Sequence, residues 1–499
     1  MIRKHRLLLS FVAAFAAASL VLAAPRNKFK QRIATLLVQF PAVERGHFGF
    51  KFVDLAHGTI LAEHDASEFF TPASNTKLYT TSLALVRLGP NYRFQTELRT
   101  SAAWTPGQAN LPDLQIVGGG DPNLSGRVLP YNVNAKPGDA LAPLRELAKK
   151  LCDAGIKTID GDVTGIATRY PGELYPDGWA INDAIYEYGA PVSALTFNDN
   201  ALSVTVSPTE TGELAAIGTL PANGPLLFLN EVLTDDGNQS HVRASRAPGS
   251  NEVVLWGTIG KSAPPWQQDL AVIDPARWAA SALIDVLREE GISVRGGARS
   301  RYQTLNEAEH EITSPGTLLA VHQSVPLSQA ITVTNKVSQN LHAEMLLREV
   351  GFVTQGSGTL RAGLAARASF LQELGITQDG TGVALQDGSG LARQDLTTPD
   401  STVALLQAMW ARPEHDIWLA SLPIGGVDGT LEHRFKDIPG ADHVHAKTGS
   451  LSHVNALSGY IETRKHGWLA FSIMVNSTVG HDAEVRDFID HLCALFLTM

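Results

Sequence analysis

Three short motifs in the chain combine a hydroxyl group with an amine or an amide at a fixed spacing. Ser74 precedes Lys77 by three residues, Ser338 precedes Asn340 by two, and a Lys-Thr-Gly triplet occupies residues 447–449. Either of the first two motifs would arise by chance about once in a chain of this length, and the third well under once. Together they supply a hydroxyl nucleophile, a base and a cation, which are the groups that covalent catalysis by a serine requires.

The first motif pairs a potential nucleophile with a potential base. Residues three apart share a helix face, so the Ser74 hydroxyl and the Lys77 amine come within hydrogen-bonding reach. Lys77 accepts a proton from Ser74 only if its pKa is lowered, which burial and a second cation such as Lys447 would both achieve. Taken alone, the pair also fits an ordinary first helical turn with a capping serine and a solvated lysine.

The second motif lies between two helical patterns, Leu327 to Val337 and Leu341 to Val350. Side chains at such a bend can point towards one another. Ser338 is therefore predicted to pass a proton to the leaving amine, and Asn340 to orient Lys77 and the substrate amide. The alternative is an ordinary helix junction with serine and asparagine as capping residues.

The third motif falls within a predicted strand, where an interior glycine weakens the strand unless another backbone approaches closely. A substrate chain beside the strand is the predicted reason for Gly449. Lys447 and Thr448 then offer a cation and a hydroxyl to a terminal carboxylate. The N–H groups of Ser450 and Ser74 are predicted to form an oxyanion hole. Alone, the triplet is more often a strand end leading into a turn.

Elements from both ends of the chain are predicted to position these motifs. Alternating apolar residues indicate two strands before the first motif and three around and after the third, and a helix carries Ser74 in its first turn. Because sheet partners need not be sequence neighbours, all five strands can form one antiparallel sheet. The predicted strands cover 48–53, 59–63, 443–450, 454–462 and 468–475, and the predicted helices cover 72–88 and 483–497.

A long insertion, from about residue 92 to 312, separates the first two motifs. It contains two similar helix-then-strand segments, which end near Ile156 and Ile292 after a glycine stop, and these predict an α/β domain. The stretch 197–258 has short apolar runs among Gly, Asn and Pro turns, which indicates a nested β-rich module.

The three motifs, in this order and on these element types, match the set found in enzymes that react with penicillin. The chain resembles the D-alanyl-D-alanine carboxypeptidase/endopeptidases, the low-molecular-mass class C penicillin-binding proteins of penicillin-binding protein 4 type, whose first two motifs are separated by a large insertion. Further stretches that carry the resemblance are Gly119–Pro122, Asp387–Leu391 and Gly426–Leu431. It implies a serine peptidase that cleaves D-Ala-D-Ala bonds in peptidoglycan stem peptides and crosslinks through an acyl-enzyme, needs no cofactor, and is inhibited by β-lactams.

The resemblance also implies a substrate pocket. Asp183 and Tyr188 look like the family residues that bind the free amino acid end of the peptide's diamino acid, and Arg393 looks like another contributor. An acidic group for the ammonium and a cation for the carboxylate suit a zwitterion. The chain departs from the family at Leu451, where some members have Met, and at Ala392, where Ser is usual.

The predicted fold class is therefore multi-domain α/β, with a transpeptidase-like domain, an inserted α/β domain and a nested β-rich module. The discontinuous peptidase domain is predicted at 24–91 and 313–499, the inserted domain at 92–196 and 259–312, and the nested module at 197–258. Residues 1–23 combine basic residues with a short apolar run and small residues, as in a cleaved signal peptide, which predicts export to the periplasm. A retained membrane anchor would need a longer apolar run.

Charge and composition exclude several kinds of partner. The formal net charge is −10 and becomes more negative once the basic N-terminal segment is removed, which argues against nucleic acid. Cys152 and Cys493 lie far apart in helical patterns, where free thiols are more usual than a bridge, and the histidines are too scattered to predict a metal site.

Two other functions use the same residues. A β-lactamase or esterase shares the Ser-Lys pair, but fast deacylation requires a positioned base for water, and no segment resembles the class A glutamate loop. A non-catalytic peptidoglycan-binding protein has no physical need of a Ser-Lys pair. Both remain alternatives to the peptidase at this point.

Overall fold

A computed structural model describes residues 31–222, 224–308, 316–376, 382–480 and 482–498. The predicted signal peptide at 1–23 lies outside these ranges. Within them, no helix combines the length and the apolar character needed to cross a membrane.

Helices and strands alternate along the described part of the chain. The α-helices are α1 (31–39), α2 (Pro41–Glu44), α3 (Thr76–Leu88), α4 (Ala142–Asp153), α5 (Pro275–Glu289), α6 (Leu305–Ala308), α7 (Leu327–Lys336), α8 (Asn340–Gln355), α9 (Leu360–Glu373), α10 (Pro399–Trp410), α11 (His415–Ser421) and α12 (Asp482–Leu497). The strands are β1 (His47–Asp54), β2 (Thr59–His64), β3 (Gln95–Thr100), β4 (Asn110–Leu111), β5 (Leu114–Val117), β6 (Thr158–Ile159), β7 (Val163–Ile166), β8 (Ala201–Ser207), β9 (Ala216–Leu220), β10 (Leu227–Asp235), β11 (Arg243–Ser245), β12 (Glu252–Gly260), β13 (Trp266–Ala271), β14 (Ser293–Val294), β15 (Ala298–Arg301), β16 (Thr317–Gln323), β17 (Val383–Ala384), β18 (Leu396–Thr397), β19 (Val444–Leu451), β20 (Val454–Thr463) and β21 (Gly467–Asn476).

The two ends of the chain build one five-stranded sheet in the order β19-β20-β21-β1-β2. Every neighbouring pair in it is antiparallel. The predicted fold class, with its five-stranded antiparallel sheet, is thereby confirmed. Strand β19, which carries the Lys-Thr-Gly triplet, lies at one edge.

Helices cover both faces of this sheet. On one face the Phe52 ring stacks on Phe496 of α12 with centroids 3.7 Å apart. On the other face the Tyr460 hydroxyl donates to the Leu406 carbonyl of α10 at 2.8 Å. Burial of each such aromatic side chain contributes about 1.5–3 kcal/mol. The sheet is therefore a stable platform for its edge strand.

The inserted segment forms a second α/β unit. Its larger sheet has the order β15-β7-β5-β3-β16, in which β15, β7 and β5 are parallel and β3 and β16 are antiparallel to their neighbours. Both predicted helix-then-strand segments are present as α4–β6 and α5–β14, and each helix is followed by a glycine of positive φ, Gly155 and Gly291. Strands β6 and β14 then pair in parallel.

Two small sheets, β13-β8-β9 and β10-β12-β11, correspond to the predicted nested module. Because β13 pairs with β8, this pairing runs to Ala271, beyond the predicted boundary at 258. Similarly, β16 pairs with β3, so the inserted sheet continues to Gln323, beyond the predicted boundary at 312. These strand partners are distant in sequence and leave no local signal. The division into domains otherwise stays a prediction.

Both cysteines are free. Cys493 is buried in the core beneath the sheet, and the Cys152 thiol donates to the Glu290 carbonyl at 3.3 Å.

Candidate active site

Ser74 lies in a single 3-10 turn, Ala73–Asn75, immediately before α3. The predicted helix therefore begins as a tighter turn. Ala73 has φ +48°, a conformation that costs free energy in a residue with a side chain and that clusters at functional sites. Ser74 is partly exposed, whereas its neighbours Ala73 and Asn75 are buried. The turn therefore presents the serine hydroxyl to solvent.

Lys77 is fully buried, and its ammonium group has three acceptors. Its Nζ lies 2.9 Å from Ser74 Oγ, 2.5 Å from Asn340 Oδ1 and 2.8 Å from the Ser389 carbonyl. Burial lowers the pKa of Lys77 to about 7, although nearby carboxylates, Asp387 foremost, act in the opposite direction. An amine in this state can exist without its proton at neutral pH and can accept one from Ser74.

Lys447 connects the third motif to the second through a hydrogen bond. Its Nζ donates to Ser338 Oγ at 2.8 Å and to the Thr448 carbonyl at 2.9 Å. Burial, reinforced by the charge of Lys77, holds the pKa of Lys447 well below its usual range. Burial is the largest cause of the lowered pKa of both lysines. The charge of Lys77 adds to the effect on Lys447, whereas the charges that act on Lys77 are those of carboxylates.

Ser338 and Asn340 occupy the bend between α7 and α8. Ser338 has φ +65°, and the Gln339 side chain caps α8 by accepting from the Leu341 N–H. Asn340 donates through Nδ2 to the Tyr188 carbonyl at 2.7 Å. One amide side chain therefore touches both Lys77 and the inserted segment.

Among the residues that the structure describes, no main-chain group pairs with the outer edge of strand β19 at 448 and 450. The Ala446 N–H points outward, since it donates to the Pro423 carbonyl. Because successive strand N–H groups alternate between edges, those of Thr448 and Ser450 point the same way. A peptide substrate can add to such an edge through main-chain hydrogen bonds.

Residue 449 must be a glycine because another part of the chain lies close to it. A Cβ atom there would lie 2.5 Å from the Pro72 carbonyl oxygen and 2.9 Å from Asn75 Nδ2. The turn before Ser74 is therefore a backbone that comes close to Gly449, and the approach of a substrate chain stays a prediction. Asn75 Nδ2 also donates to the Lys447 carbonyl at 3.2 Å, so the glycine allows the nucleophile turn to dock on β19.

A buried turn that the motifs alone do not predict holds Lys77 from beneath. Ser389 supplies the carbonyl for Lys77, and its N–H donates to Glu344 Oε1 at 2.9 Å. The Asp387 carboxylate accepts from the N–H groups of Gly390 and Ala392. Burial, with the charge of Asp387, raises the pKa of Glu344 to about 7. Glu344 lies four residues after Asn340 on α8, a spacing that could have revealed it.

The three residues implied by the resemblance lie at the rim of this site. Tyr188 OH approaches Asp183 Oδ1 at 3.5 Å, and the Arg393 charge acts on the Tyr188 phenol. The Arg393 guanidinium donates to the Ser452 carbonyl at 3.5 Å, just beyond β19. Trp179 Nε1 donates to Asp387 at 2.9 Å, which ties this inserted segment to the turn beneath Lys77. The predicted site residues thus lie in one region of the structure, around Lys77 and the third motif.

Comparison with protein families identifies the family of this chain. The model of the D-Ala-D-Ala carboxypeptidase 3 (S13) family matches residues 29–496. The chain belongs to this family. The predicted resemblance is thereby confirmed, and with it the prediction of a serine-type D-Ala-D-Ala carboxypeptidase.

Two relatives match most of this chain. A D-alanyl-D-alanine carboxypeptidase of Actinomadura sp. (strain R39) is 34% identical over 457 residues, which is 89% of this chain and 80% of the relative. D-alanyl-D-alanine carboxypeptidase DacB of Haemophilus influenzae is 27% identical over 449 residues, 89% of this chain and 88% of that protein.

Solved structures extend the likeness to the fold. Penicillin binding protein 4 of Haemophilus influenzae superposes with a TM-score of 0.79 at 26% identity, covering 94% of this chain and 99% of the other. The same protein in complex with a novel β-lactam gives a TM-score of 0.73 at 25% identity, covering 93% and 99%.

Proposed function

We propose that Ser74 is the nucleophile with which this S13 carboxypeptidase releases D-alanine from peptides ending in D-alanyl-D-alanine. The observation that carries the proposal is the buried Lys77 amine, hydrogen-bonded to Ser74 Oγ at 2.9 Å with a pKa lowered to about 7. A hydroxyl and a base in direct contact make up the minimal unit of nucleophilic catalysis.

Acylation begins when neutral Lys77 takes the Ser74 proton and Ser74 Oγ attacks the penultimate carbonyl carbon. The outward N–H of Ser450 and the N–H of Ser74 stabilise the oxygen that gains negative charge. Collapse of this intermediate breaks the amide bond. The proton that Lys77 took from Ser74 passes through Ser338, which contacts Lys447, to the leaving nitrogen. D-alanine departs with its amine restored, and Lys77 is neutral again for deacylation.

Deacylation reverses the chemistry with water as the nucleophile. Water attacks the ester carbonyl, Lys77 receives its proton, and Ser74 regains one as the ester bond breaks. A β-lactam follows the first half of this path, because its amide carbonyl acylates Ser74. The amine released by ring opening stays tethered, so the acyl-enzyme persists as an inhibited form.

Lys447 and Thr448 are proposed to bind the terminal carboxylate of the substrate. The Thr448 hydroxyl is exposed and donates to Thr430 Oγ1 at 2.8 Å, which orients it at the cleft. An incoming carboxylate favours the charged form of a lysine whose pKa burial has lowered. Substrate binding therefore sets the protonation state of Lys447.

The substrate class suggests where the protein acts. Peptidoglycan lies outside the cytoplasmic membrane, and the basic and apolar N-terminal sequence has the form of a cleaved signal peptide. We therefore propose that the chain is exported and works in the periplasm on peptidoglycan peptides.

The pH dependence of D-alanine release tests the function and the base together. Neutral Lys77 is the reactive form, so kcat/KM for a D-alanyl-D-alanine peptide is expected to rise with pH through about 7 and then level off. The measurement is D-alanine release at several pH values, with and without penicillin. No release, or release that penicillin does not stop, would contradict the function, and a rate independent of pH from 5 to 9 would contradict the base.

Asp183 gives a separate prediction about substrate recognition. We expect Asp183→Ala to lower kcat/KM about tenfold for peptides that carry a free diamino-acid end, since the carboxylate would lose a charged hydrogen bond to the ammonium. Acylation by penicillins without that group should barely change. The measurement compares acylation rates for the two ligands.

Asp177→Ala is the matched control, because Asp177 is an exposed aspartate on the same segment. It should leave both rates unchanged. Equal losses for peptide and penicillin in Asp183→Ala would assign Asp183 to the fold instead, and no loss for either would remove it from the substrate pocket.

A further inference from the structure

The inserted segment holds the second motif at two successive residues. The Gln339 amide nitrogen donates to the Glu187 carboxylate, and Asn340 donates to the Tyr188 carbonyl at 2.7 Å. Both acceptors belong to one 3-10 turn, Glu187–Gly189. The contact through Tyr188 is made by the backbone, whereas the contact through Glu187 is made by a side chain. Glu187 is therefore the point at which the residue type in the insertion determines how the second motif is held.

Gln339 carries this contact into the backbone of the bend between α7 and α8. Gln339 is only 4% exposed, and its Oε1 accepts from the Leu341 N–H at 2.8 Å while its amide nitrogen donates to Glu187. Ser338, the preceding residue, has φ +65°, a conformation that persists in such a residue only when its surroundings hold it there. A buried side chain that is hydrogen-bonded at both ends restrains this bend.

A neighbouring set of contacts holds the same turn of α8 without Glu187. His342 is fully buried, and its Nε2 lies 2.8 Å from Asp199 Oδ1. The Asp199 carboxylate also accepts from Arg127. Asp199 is thus paired with a cation, whereas Glu187 holds an uncharged amide. Because His342 fastens the helix independently, loss of the Glu187 contact should loosen the bend without detaching α8 from the insertion.

The charge of Glu187 also acts on the catalytic base. Burial lowers the pKa of Lys77 to about 7, and the carboxylates that oppose this effect include Glu187, after Asp387 and Glu344. Burial, followed by the Asp199 charge, raises the pKa of Glu187 itself to about 7. The charged and titratable groups on the elements around Glu187 are Lys77, Arg127, Tyr188, Asp199, Asp269 and His342. Loss of the Glu187 charge would therefore let Lys77 release its proton at a lower pH.

We propose that Glu187 is a positioning residue for the second motif, and that its hydrogen bond to Gln339 fixes the bend that carries Ser338 and Asn340. The inference rests on the proposed function, because the groups that it positions are those that contact the proton-transfer machinery. A displacement of about 1 Å at such groups can slow a reaction about 100-fold. The insertion thus contributes to catalysis, although Glu187 lies 152 residues from Gln339 in the sequence.

Two substitutions of Glu187 separate its hydrogen bond from its charge. Glu187→Gln keeps an oxygen that accepts from Gln339 and removes the charge, whereas Glu187→Ala removes both. The measurement is the maximal rate of acylation by a coloured β-lactam from about pH 5 to 9, with thermal unfolding to show that each variant is folded. We expect Glu187→Ala to lower the maximal rate about tenfold, and Glu187→Gln to keep it within about twofold of the unchanged protein.

The pH at which the rate rises gives a second readout, which a purely structural role would not change. In both variants the midpoint of the rise should move down by about half a pH unit, since the charge that favours protonated Lys77 is gone. Glu231→Ala is the matched control, because Glu231 is an exposed glutamate on β10 of the same insertion. It should leave both the rate and the midpoint unchanged.

Gln339→Ala tests the route by which Glu187 acts. In that background, Glu187→Ala should lower the maximal rate no further, because the contact between the two side chains is already lost. A further loss of about tenfold would overturn the proposal, since Glu187 would then act by another route.

The other outcomes that would overturn the proposal are equally specific. They are an unchanged maximal rate in Glu187→Ala, equal losses in Glu187→Ala and Glu187→Gln, and an unchanged midpoint in both variants. Each of these leaves the proposed function intact, provided that the unchanged protein takes up penicillin on Ser74. An unchanged protein that takes up no penicillin would contradict the proposed function itself.

Discussion

Ser74→Ala is expected to abolish both D-alanine release and covalent attachment of penicillin, with kcat reduced by a factor on the order of 10⁴ to 10⁶. The loss is large because, in the described part of the chain, Ser74 Oγ is the hydroxyl hydrogen-bonded to Lys77 Nζ, and without it the acyl-enzyme route disappears. Stability should change little, since Ser74 is only partly buried. The measurements are D-alanine release, gel detection of labelled penicillin, and thermal unfolding.

Ser452→Ala provides the matched control for this variant, because Ser452 is exposed just beyond β19 near the same cleft. It should keep the rate and the labelling of the unchanged protein. Labelling of Ser74→Ala at a rate near that of the unchanged protein would show that another residue is the nucleophile.

Lys77→Arg is also expected to lower the rate of acylation by a large factor. Arginine stays protonated at any working pH, so the variant keeps the positive charge and loses the base, and acylation should fall by about 10²–10⁴-fold. The remaining activity should no longer rise through pH 7, since the group that titrates there is gone. The measurement is the acylation rate with a coloured β-lactam as a function of pH.

Lys77→Met separates the loss of the base from crowding by the larger arginine side chain. Methionine fits the buried volume without a base, and it should lose acylation and the pH dependence to a similar extent. A folded Lys77→Arg protein that acylates at nearly the normal rate, or one that keeps the rise near pH 7, would show that another group takes the Ser74 proton.

The catalytic centre combines several buried charges whose folding cost must be offset locally. Burial raises the pKa of Glu344 to about 7, and it also raises the pKa of Asp395 well above its usual range. Main-chain N–H groups at 388 and 389 solvate Glu344, and Arg348 lies 3.4 Å from it. Such clusters are costly to bury and are typical of sites that need shifted pKa values.

Much of the site was predictable because its signals are local. The spacing of Ser74 and Lys77 needs only one helical turn, and the bend at Ser338 follows from two adjacent helical patterns. The strand periods predicted β19, β20 and β21 to within a residue or two of their bounds. The single antiparallel sheet was predictable from two strands near one end of the chain and three near the other, since sheet partners need not be sequence neighbours.

The parts that were not predictable depend on contacts distant in sequence. A side chain at position 449 would collide with the Pro72 carbonyl, which is why the residue is a glycine. The sequence around Gly449 gives no sign that Pro72 lies so close. The Ser389 carbonyl reaches Lys77 from a turn more than 300 residues later, and it acts through its backbone, which carries no residue-type signal. Strand β13 joined the nested module for the same reason, since its partner β8 lies far earlier in the chain.

Mapping the acylated residue in the unchanged protein tests the central claim most directly. The protein is incubated with penicillin, digested, and the peptide that gains the mass of the drug is identified by mass spectrometry. The mechanism predicts one modified peptide that contains Ser74, with the adduct on its hydroxyl and none on Ser338. An adduct on any other residue, or a protein that gains no mass while remaining folded, would contradict it.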